Sequence, residues 1–251
     1  SRLAADSLKR VHLELGGNDA QIVMKDADLE VAAESVVLGR LARGNGQICC
    51  AVKRIFVEND VYENFADILT TKTRKLRVGD PLSDDTDVGP LINEDAAETV
   101  MQYIEDAKTG GAKVRVGGSR NGAFVEPTVL TNLGSGARLL YEENFGPVAP
   151  VIGFNTIDEA IERVNDSPYG LQASVFTNDI SKALDISHQL DVGGVIINWS
   201  SAVRVENLPF GGVKMTGHGR ESIHDTLNEM TEIKTILFYD ALSVFQQKDT
   251  P

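Results

Sequence analysis

Segments with helical periodicity alternate with short β-rich segments along most of this chain of 251 residues, and the alternation limits the folds open to it. Strands are predicted over 52–58, 113–116, 149–154, 172–176 and 194–198. Helices are predicted over 29–43, 61–76, 94–109, 157–165, 180–189 and 219–229. Because parallel strands need a long crossover between them, usually a helix, this order is typical of an α/β domain. We expect a mostly parallel twisted sheet flanked by helices.

The predicted helix over 29–43 leads into a glycine-flanked turn that holds the only two cysteines, Cys49 and Cys50. Adjacent cysteines rarely form a disulfide with each other, because one peptide link keeps their Cα atoms too close. The four histidines show no zinc-site spacing to these thiols, so no metal is expected. Two interpretations stay open: both thiols are small buried apolar groups, or Gly44 and Gly46 let the backbone approach a ligand beside a reactive thiol.

A second candidate group is Glu14, in the apolar segment VHLELGG at 11–17. A carboxylate that loses hydration has a raised pKa, as a general base at neutral pH requires. The alternative is a glutamate on an edge strand that faces water.

Charge and hydropathy exclude several classes of protein. Lys and Arg number 24 against 37 Asp and Glu, which leaves a net charge of −13. Such a surface repels phosphate backbones and anionic lipid, so nucleic-acid and membrane partners are not expected. The first ten residues lack the apolar core of a secretory signal, and no apolar run is long enough to span a membrane. Two unpaired thiols fit a cytoplasmic location.

The sequence ELGG at 14–17 is followed by GQIC at 46–49, so that Cys49 lies 35 residues after Glu14. This pair of motifs resembles the aldehyde dehydrogenase superfamily. Further matching motifs are DADL at 26–29, GPLI at 89–92, ENFGPV at 143–148, YGL at 169–171, VFT at 175–177, PFGG at 209–212 and TGHGRE at 216–221. The resemblance covers about residues 11–239. It implies an NAD- or NADP-dependent enzyme that oxidises an aldehyde to a carboxylic acid.

The resemblance implies roles for individual residues. Cys49 would be the nucleophile that forms a thiohemiacetal and then a thioester, and Glu14 would activate the hydrolytic water. Cofactor contacts would come from three residues: Leu15, Glu143 and Phe145. Substrate contacts would come from three others: Cys50, Arg204 and Phe210.

Arg204 bears on the choice of aldehyde. The segment RVENLPF at 204–210 is similar to lactaldehyde, phosphonoacetaldehyde and semialdehyde members of the family. An arginine can bind a carboxylate, phosphonate or hydroxyl at the far end of a short aldehyde. Equally, Arg204 can pair with Glu206 or another acid at the rim of the tunnel. An unspecific small aldehyde stays an alternative substrate, and a cysteine-dependent esterase or thioesterase without nicotinamide stays an alternative class.

Family members are about twice as long, so the chain is expected to be a C-terminal catalytic half that lacks most of the nucleotide-binding domain. We predict a linker remnant over 1–13, a thiol catalytic domain over 14–215, and a C-terminal helix, oligomerisation strand and tail over 216–251. Full activity is not expected of this half alone. The alternating Ile233, Thr235, Leu237 and Tyr239 predict a strand over 232–239 that pairs in a dimer or tetramer.

Overall fold

The computed structural model describes residues 1–239, and a seven-stranded sheet forms its centre. Its strands in chain order are β1 (Ala20–Val23), β2 (Arg54–Glu58), β3 (Lys113–Val116), β4 (Thr128–Thr131), β5 (Val148–Phe154), β6 (Gln172–Phe176) and β7 (Gly194–Ile197). Their order across the sheet is β7-β6-β1-β2-β5-β4-β3. All neighbours are parallel except β3 and β4, which are antiparallel. The predicted α/β fold with a mostly parallel sheet is confirmed.

Seven α-helices accompany the sheet in the described part of the chain. They are α1 (Arg2–Ala5), α2 (Leu29–Val36), α3 (Tyr62–Thr73), α4 (Glu94–Thr109), α5 (Ile157–Asn165), α6 (Ile180–Gln189) and α7 (Ile223–Glu229). Among residues 1–239, none of the helices has both the length and the apolar content needed to cross a membrane.

Helices cover both faces of the sheet because successive side chains of each strand point to opposite sides. Ile55 and Val57 pack with α2 and α3 in one apolar cluster. Phe56, which lies between them in the chain, packs with α5 and α6 in another. Because both faces are buried, the central strands carry apolar residues on both sides, as is usual for parallel sheets.

Most predicted elements form within a few residues of their expected limits. The helices α4, α5 and α6 and the strands β3 and β6 have the predicted bounds. The predicted helix over 29–43 begins at Leu29, where the Asp28 side chain accepts the N–H groups of Glu30 and Val31. It changes to a π-helical turn over Val37–Ala42, and such wide turns are frequent at functional sites.

Two expectations differ from the structure. The strands β1 and β4 were not predicted, because each has only four residues and two-sided burial removes the alternating pattern by which so short a strand is recognised. The helix predicted over 219–229 begins only at Ile223, with Ser222 as its N-cap. The strand predicted over 232–239 stays a prediction, because its expected partner is another subunit: in this single chain residues 232–238 have no regular structure and pair with no strand in the described part. A single strand cannot satisfy its own backbone groups, so this segment needs a partner to become one. The predicted tail over 241–251 lies outside the described residues.

A short antiparallel ladder beside the sheet brings distant parts of the chain together. Leu13–Glu14 pairs with Gly217–His218, and the N–H of Leu15 donates to the Thr216 carbonyl at 2.8 Å. The ladder fixes Glu14 beside the segment that follows Phe210.

Candidate active site

The turn before Cys49 has left-handed backbone at three consecutive residues. Gly44, Asn45 and Gly46 have φ of +62°, +53° and +72°. The buried Asn45 donates from Nδ2 to the carbonyls of Gly89 at 2.8 Å and Pro90 at 2.9 Å. A Cβ on Gly46 would lie 2.4 Å from the Gly146 carbonyl oxygen, so no side chain fits there. The GPLI and ENFGPV segments therefore hold the turn from two sides.

Arg40, at the end of the π-helical turn, is fully buried beneath the same segment. Its guanidinium donates to the carbonyls of Val148 at 2.7 Å and Gly46 at 3.3 Å. It also donates to the backbone and side-chain oxygens of Asn144, each at 3.1 Å. Burial lowers the pKa of Arg40 to about 9, while the Glu143 charge opposes the shift. Arg40 therefore links the cysteine turn to Asn144, the residue after Glu143.

Lys53 is the second buried cation of the site, with a side chain 1% exposed. Its Nζ donates to the carbonyls of Gly17 at 2.7 Å and Cys49 at 2.6 Å, and to Oε1 of Glu143 at 2.7 Å. Burial lowers the pKa of Lys53, and the charges of Asp19 and Glu143 oppose the shift. The nucleophile candidate and the cofactor-binding candidate therefore share one ammonium group.

The two thiols differ in environment and in acidity. Cys49 is half-buried, whereas Cys50 is buried with Leu171 and Phe210. A hydrogen bond from the Cys50 side chain lowers the pKa of Cys49 to about 7; desolvation raises it, and the Lys53 charge lowers it. The same hydrogen bond and burial raise the pKa of Cys50. Cys49 is thus the thiol that ionises first.

Glu14 lies within electrostatic reach of Cys49, since its charge contributes to the Cys49 pKa. Burial and, next, the Glu221 carboxylate raise the pKa of Glu14. Its Oε1 atom is buried and has no hydrogen-bond partner within residues 1–239. A carboxylate with a raised pKa and a free oxygen is suited to accept a proton from water.

Phe210 and Arg204 lie on the Glu14 side of the site. Phe210 is buried, and its backbone exchanges hydrogen bonds of 2.7 and 2.6 Å with Glu221. The Arg204 guanidinium lies 5.5 Å from the Phe210 ring centroid and forms an ion pair of 2.5 Å with Glu221. Both residues line a cavity of about 180 Å³. The structure thus pairs Arg204 with another acid, Glu221, and not with Glu206.

Of the three predicted cofactor contacts, Glu143 and Phe145 both lie beside Lys53, and Leu15 precedes Gly16, whose backbone approaches Glu143. Oε1 of Glu143 accepts from the Gly17 N–H at 2.9 Å as well as from Lys53. A Cβ on Gly16 would lie 2.3 Å from Oε2 of Glu143, so the backbone leaves space that this carboxylate uses. Phe145 is 44% exposed and Leu15 is 50% exposed, so both present apolar surface. Oε1 of Glu143 is held by these two bonds, and Oε2 is left to accept hydrogen bonds from hydroxyl groups. Together with the exposed ring of Phe145, this arrangement fits a ribose.

The predicted site residues therefore form two groups in the structure, which meet at the cysteine turn. Cys49, Glu143 and Phe145 surround Lys53, whose Nζ lies 5.3 Å from the Phe145 ring centroid. Glu14, Arg204 and Phe210 surround Glu221, and Phe210 meets Cys50 in one apolar cluster. Arg40 and Lys53 were not predicted as site residues. A signal was present for Arg40, which is the one charged residue in the otherwise apolar segment VLGRLA over 37–42. Lys53 stands next to Arg54 in the predicted strand over 52–58 and gives no such signal.

The chain matches the Aldehyde dehydrogenase family over residues 1–236. It is 45% identical to a 3-sulfolactaldehyde dehydrogenase of Priestia aryabhattai, over 92% of this chain and 48% of that protein. It is 42% identical to a lactaldehyde dehydrogenase of Methanococcus maripaludis, over 93% of this chain and 50% of that protein. The chain spans about half the length of these relatives.

A solved structure has the same fold. The glyceraldehyde-3-phosphate dehydrogenase of Methanocaldococcus jannaschii, complexed with NADP, superposes with a TM-score of 0.89 and 41% identity, over 94% of this chain and 51% of that chain.

Proposed function

Because the chain belongs to the aldehyde dehydrogenase family, we propose that it is the catalytic part of an enzyme that oxidises an aldehyde to a carboxylic acid, with Cys49 as the nucleophile. The observation that carries the proposal is that Cys49 and Glu14 have opposite pKa shifts. The pKa of Cys49 is lowered to about 7, and a neighbouring carboxyl, Glu14, has a raised pKa. A thiolate nucleophile and a general base need these opposite shifts.

The Cys49 thiolate attacks the aldehyde carbon and forms a thiohemiacetal. The N–H of Cys49 donates to no acceptor in the described part of the chain, so it is free to stabilise the developing oxyanion. Loss of hydride from the thiohemiacetal leaves an acyl thioester on Cys49. Glu14 then removes a proton from water, which attacks the thioester and releases the acid and the thiolate.

NAD or NADP would bind on the Glu143 side of the site. When the nucleotide is bound, its nicotinamide ring would accept the hydride. Glu143 would accept hydrogen bonds from ribose hydroxyls, Phe145 would pack beside the sugar, and Leu15 would contact the nicotinamide end. The assignment extends the NADP complex of the related glyceraldehyde-3-phosphate dehydrogenase to this chain.

Alkylation of the full-length protein with iodoacetamide, followed by peptide mapping, tests the nucleophile. Label is expected at Cys49 before Cys50, and Cys49→Ser should lower kcat by at least about a thousandfold, as loss of a covalent nucleophile does. Cys50→Ser is the matched control and should keep most of the activity. Exclusive labelling of Cys50, or an active Cys49→Ser enzyme, would remove the assignment.

We further propose a short aldehyde with an anionic group as the substrate, with that group bound by Arg204. Two similar proteins are named for such aldehydes: sulfolactaldehyde carries a sulfonate and glyceraldehyde 3-phosphate carries a phosphate. Arg204 uses one guanidinium nitrogen for Glu221, and a guanidinium has five N–H donors, so it can bind an anion without losing that pair. Lactaldehyde, an uncharged short aldehyde, is the alternative that the other relative suggests.

The cysteine-dependent hydrolase receives no comparable support, because the groups that dominate the pKa of Cys49 are Cys50, Lys53 and Glu14 and include no histidine. A homo-oligomer and a cytoplasmic location stay predictions.

A further inference from the structure

The buried Lys53 ammonium makes three hydrogen bonds, although the reaction proposed above gives Lys53 no role. An ammonium group has three N–H donors and no acceptor. Three oxygens lie within 2.7 Å of Nζ, on Gly17, Cys49 and Glu143. Because the three donors point in tetrahedral directions, these bonds fix the oxygens relative to one another.

Burial of this cation is costly for the fold. Moving a charge out of water costs several kcal/mol, and apolar residues that replace a whole buried ion pair often leave a protein equally stable, although removing one partner alone is destabilising. Two carboxylates, Asp19 and Glu143, compensate the charge of Lys53. Stability alone is therefore a weak reason for the fold to bury this cation together with its carboxylates.

The three oxygens belong to three functional segments. Gly17 closes the ELGG motif of the general base, Cys49 is the nucleophile, and Glu143 opens the ENFGPV motif. We propose that Lys53 is a positioning residue that holds the cysteine turn and the cofactor-binding carboxylate in one fixed relation. The proposal rests on the proposed function, since it takes Cys49 as the nucleophile.

Two consequences follow from the loss of the ammonium. Its positive charge favours the Cys49 thiolate, so a neutral residue at position 53 should make the thiol harder to ionise. Oε1 of Glu143 would keep only the Gly17 N–H as donor, so the carboxylate would lose its fixed orientation. One substitution should therefore affect both the thiol and nucleotide binding.

The test measures alkylation of Cys49 by iodoacetamide against pH in the full-length protein without nucleotide, with peptide mapping to identify the labelled residue. For Lys53→Met, the half-maximal pH should rise by about one unit from near 7, which is a tenfold lower rate at pH 6. The Kd for added NADP, measured by fluorescence titration, should rise by about tenfold. Lys53→Arg keeps the charge and should restore the alkylation profile more fully than the Kd.

Lys72→Met is the matched control, because Lys72 pairs with Glu30 at 3.1 Å and Glu34 at 3.0 Å on the surface. It should leave both readouts unchanged. Lys53→Gln, which keeps two N–H donors but no charge, is the second neutral variant if Lys53→Met does not fold. Folded neutral variants with wild-type alkylation and Kd would overturn the proposal, and so would loss of folding in both, which would assign Lys53 to stability alone. Failure of the proposed function looks different: the wild-type protein itself would be labelled at Cys50.

Discussion

Two buried cations hold the Glu143 side of the site, its paired side, whereas on the Glu14 side, its open side, the buried Oε1 of Glu14 has no donor within residues 1–239. Around Glu143, two buried cations, Arg40 and Lys53, donate to backbone and side-chain oxygens at distances from 2.6 to 3.3 Å. Around Glu14, a buried carboxylate oxygen has no partner in residues 1–239, and Arg204 is half-exposed. The chain fixes the paired side through its own hydrogen bonds, whereas on the open side one carboxylate oxygen of Glu14 stays without a donor.

Arg40→Met tests the paired side and should have the largest effect on stability. It removes the donor of five hydrogen bonds from a fully buried position, and each buried acceptor left without a partner costs about 1–3 kcal/mol. Arg204→Met on the other side removes an exposed pair and should cost at most about 1 kcal/mol. Urea unfolding of both variants measures the contrast, and equal losses would contradict it.

Gly16→Ala should disturb the paired side without unfolding the protein. The added Cβ would lie 2.3 Å from Oε2 of Glu143, and overpacking of this kind costs about 1–3 kcal/mol. The carboxylate should move, and the Kd for NADP should rise by about tenfold or more. Gly136→Ala is the control, because no atom of the described chain lies within 4 Å of a Cβ at position 136. An unchanged Kd for Gly16→Ala would separate Glu143 from cofactor binding.

Arg204→Ala should change the choice of substrate on the open side. The kcat/KM for an aldehyde with a sulfonate or phosphate group should fall by about tenfold, the equivalent of 1.4 kcal/mol, because a charge-assisted bond is lost. The kcat/KM for an uncharged alkanal should stay near its wild-type value. Equal losses for both aldehydes would indicate that Arg204 serves its pair with Glu221 only.

Glu14→Gln should show the smallest effect on stability, and in the favourable direction. The pKa of Glu14 is raised in the folded state, so the unfolded chain holds fewer protons between the two pKa values and stability falls as pH rises through that interval. At neutral pH the ionised Glu14 is therefore a cost that glutamine removes. The Tm of Glu14→Gln should exceed that of the wild type at pH 7 and match it at pH 4, while thioester hydrolysis is lost. A lower Tm at pH 7 would contradict the raised pKa.

The sequence was sufficient to predict most helices and the candidate site residues such as Cys49 and Glu143. It was insufficient to predict the buried cations between them, Arg40 and Lys53. Helices such as α4 and α5 are amphipathic and capped, by Asn93 and Thr156, so their limits are local properties. The strands β1 and β4 are buried throughout and lack that pattern. The contacts of Lys53 span 36 and 90 residues to Gly17 and Glu143, and such pairings depend on tertiary packing that no local window contains.

The absence of a side chain at position 16 has a consequence for how such a site can evolve. Any residue other than glycine there would occupy the space next to Oε2 of Glu143. In a saturation library selected for growth on an aldehyde, codon 16 should therefore tolerate almost no replacement, while codon 136 accepts many. Substitutions that change the site therefore have to come at other positions, such as the exposed residues 205–209 beside Arg204.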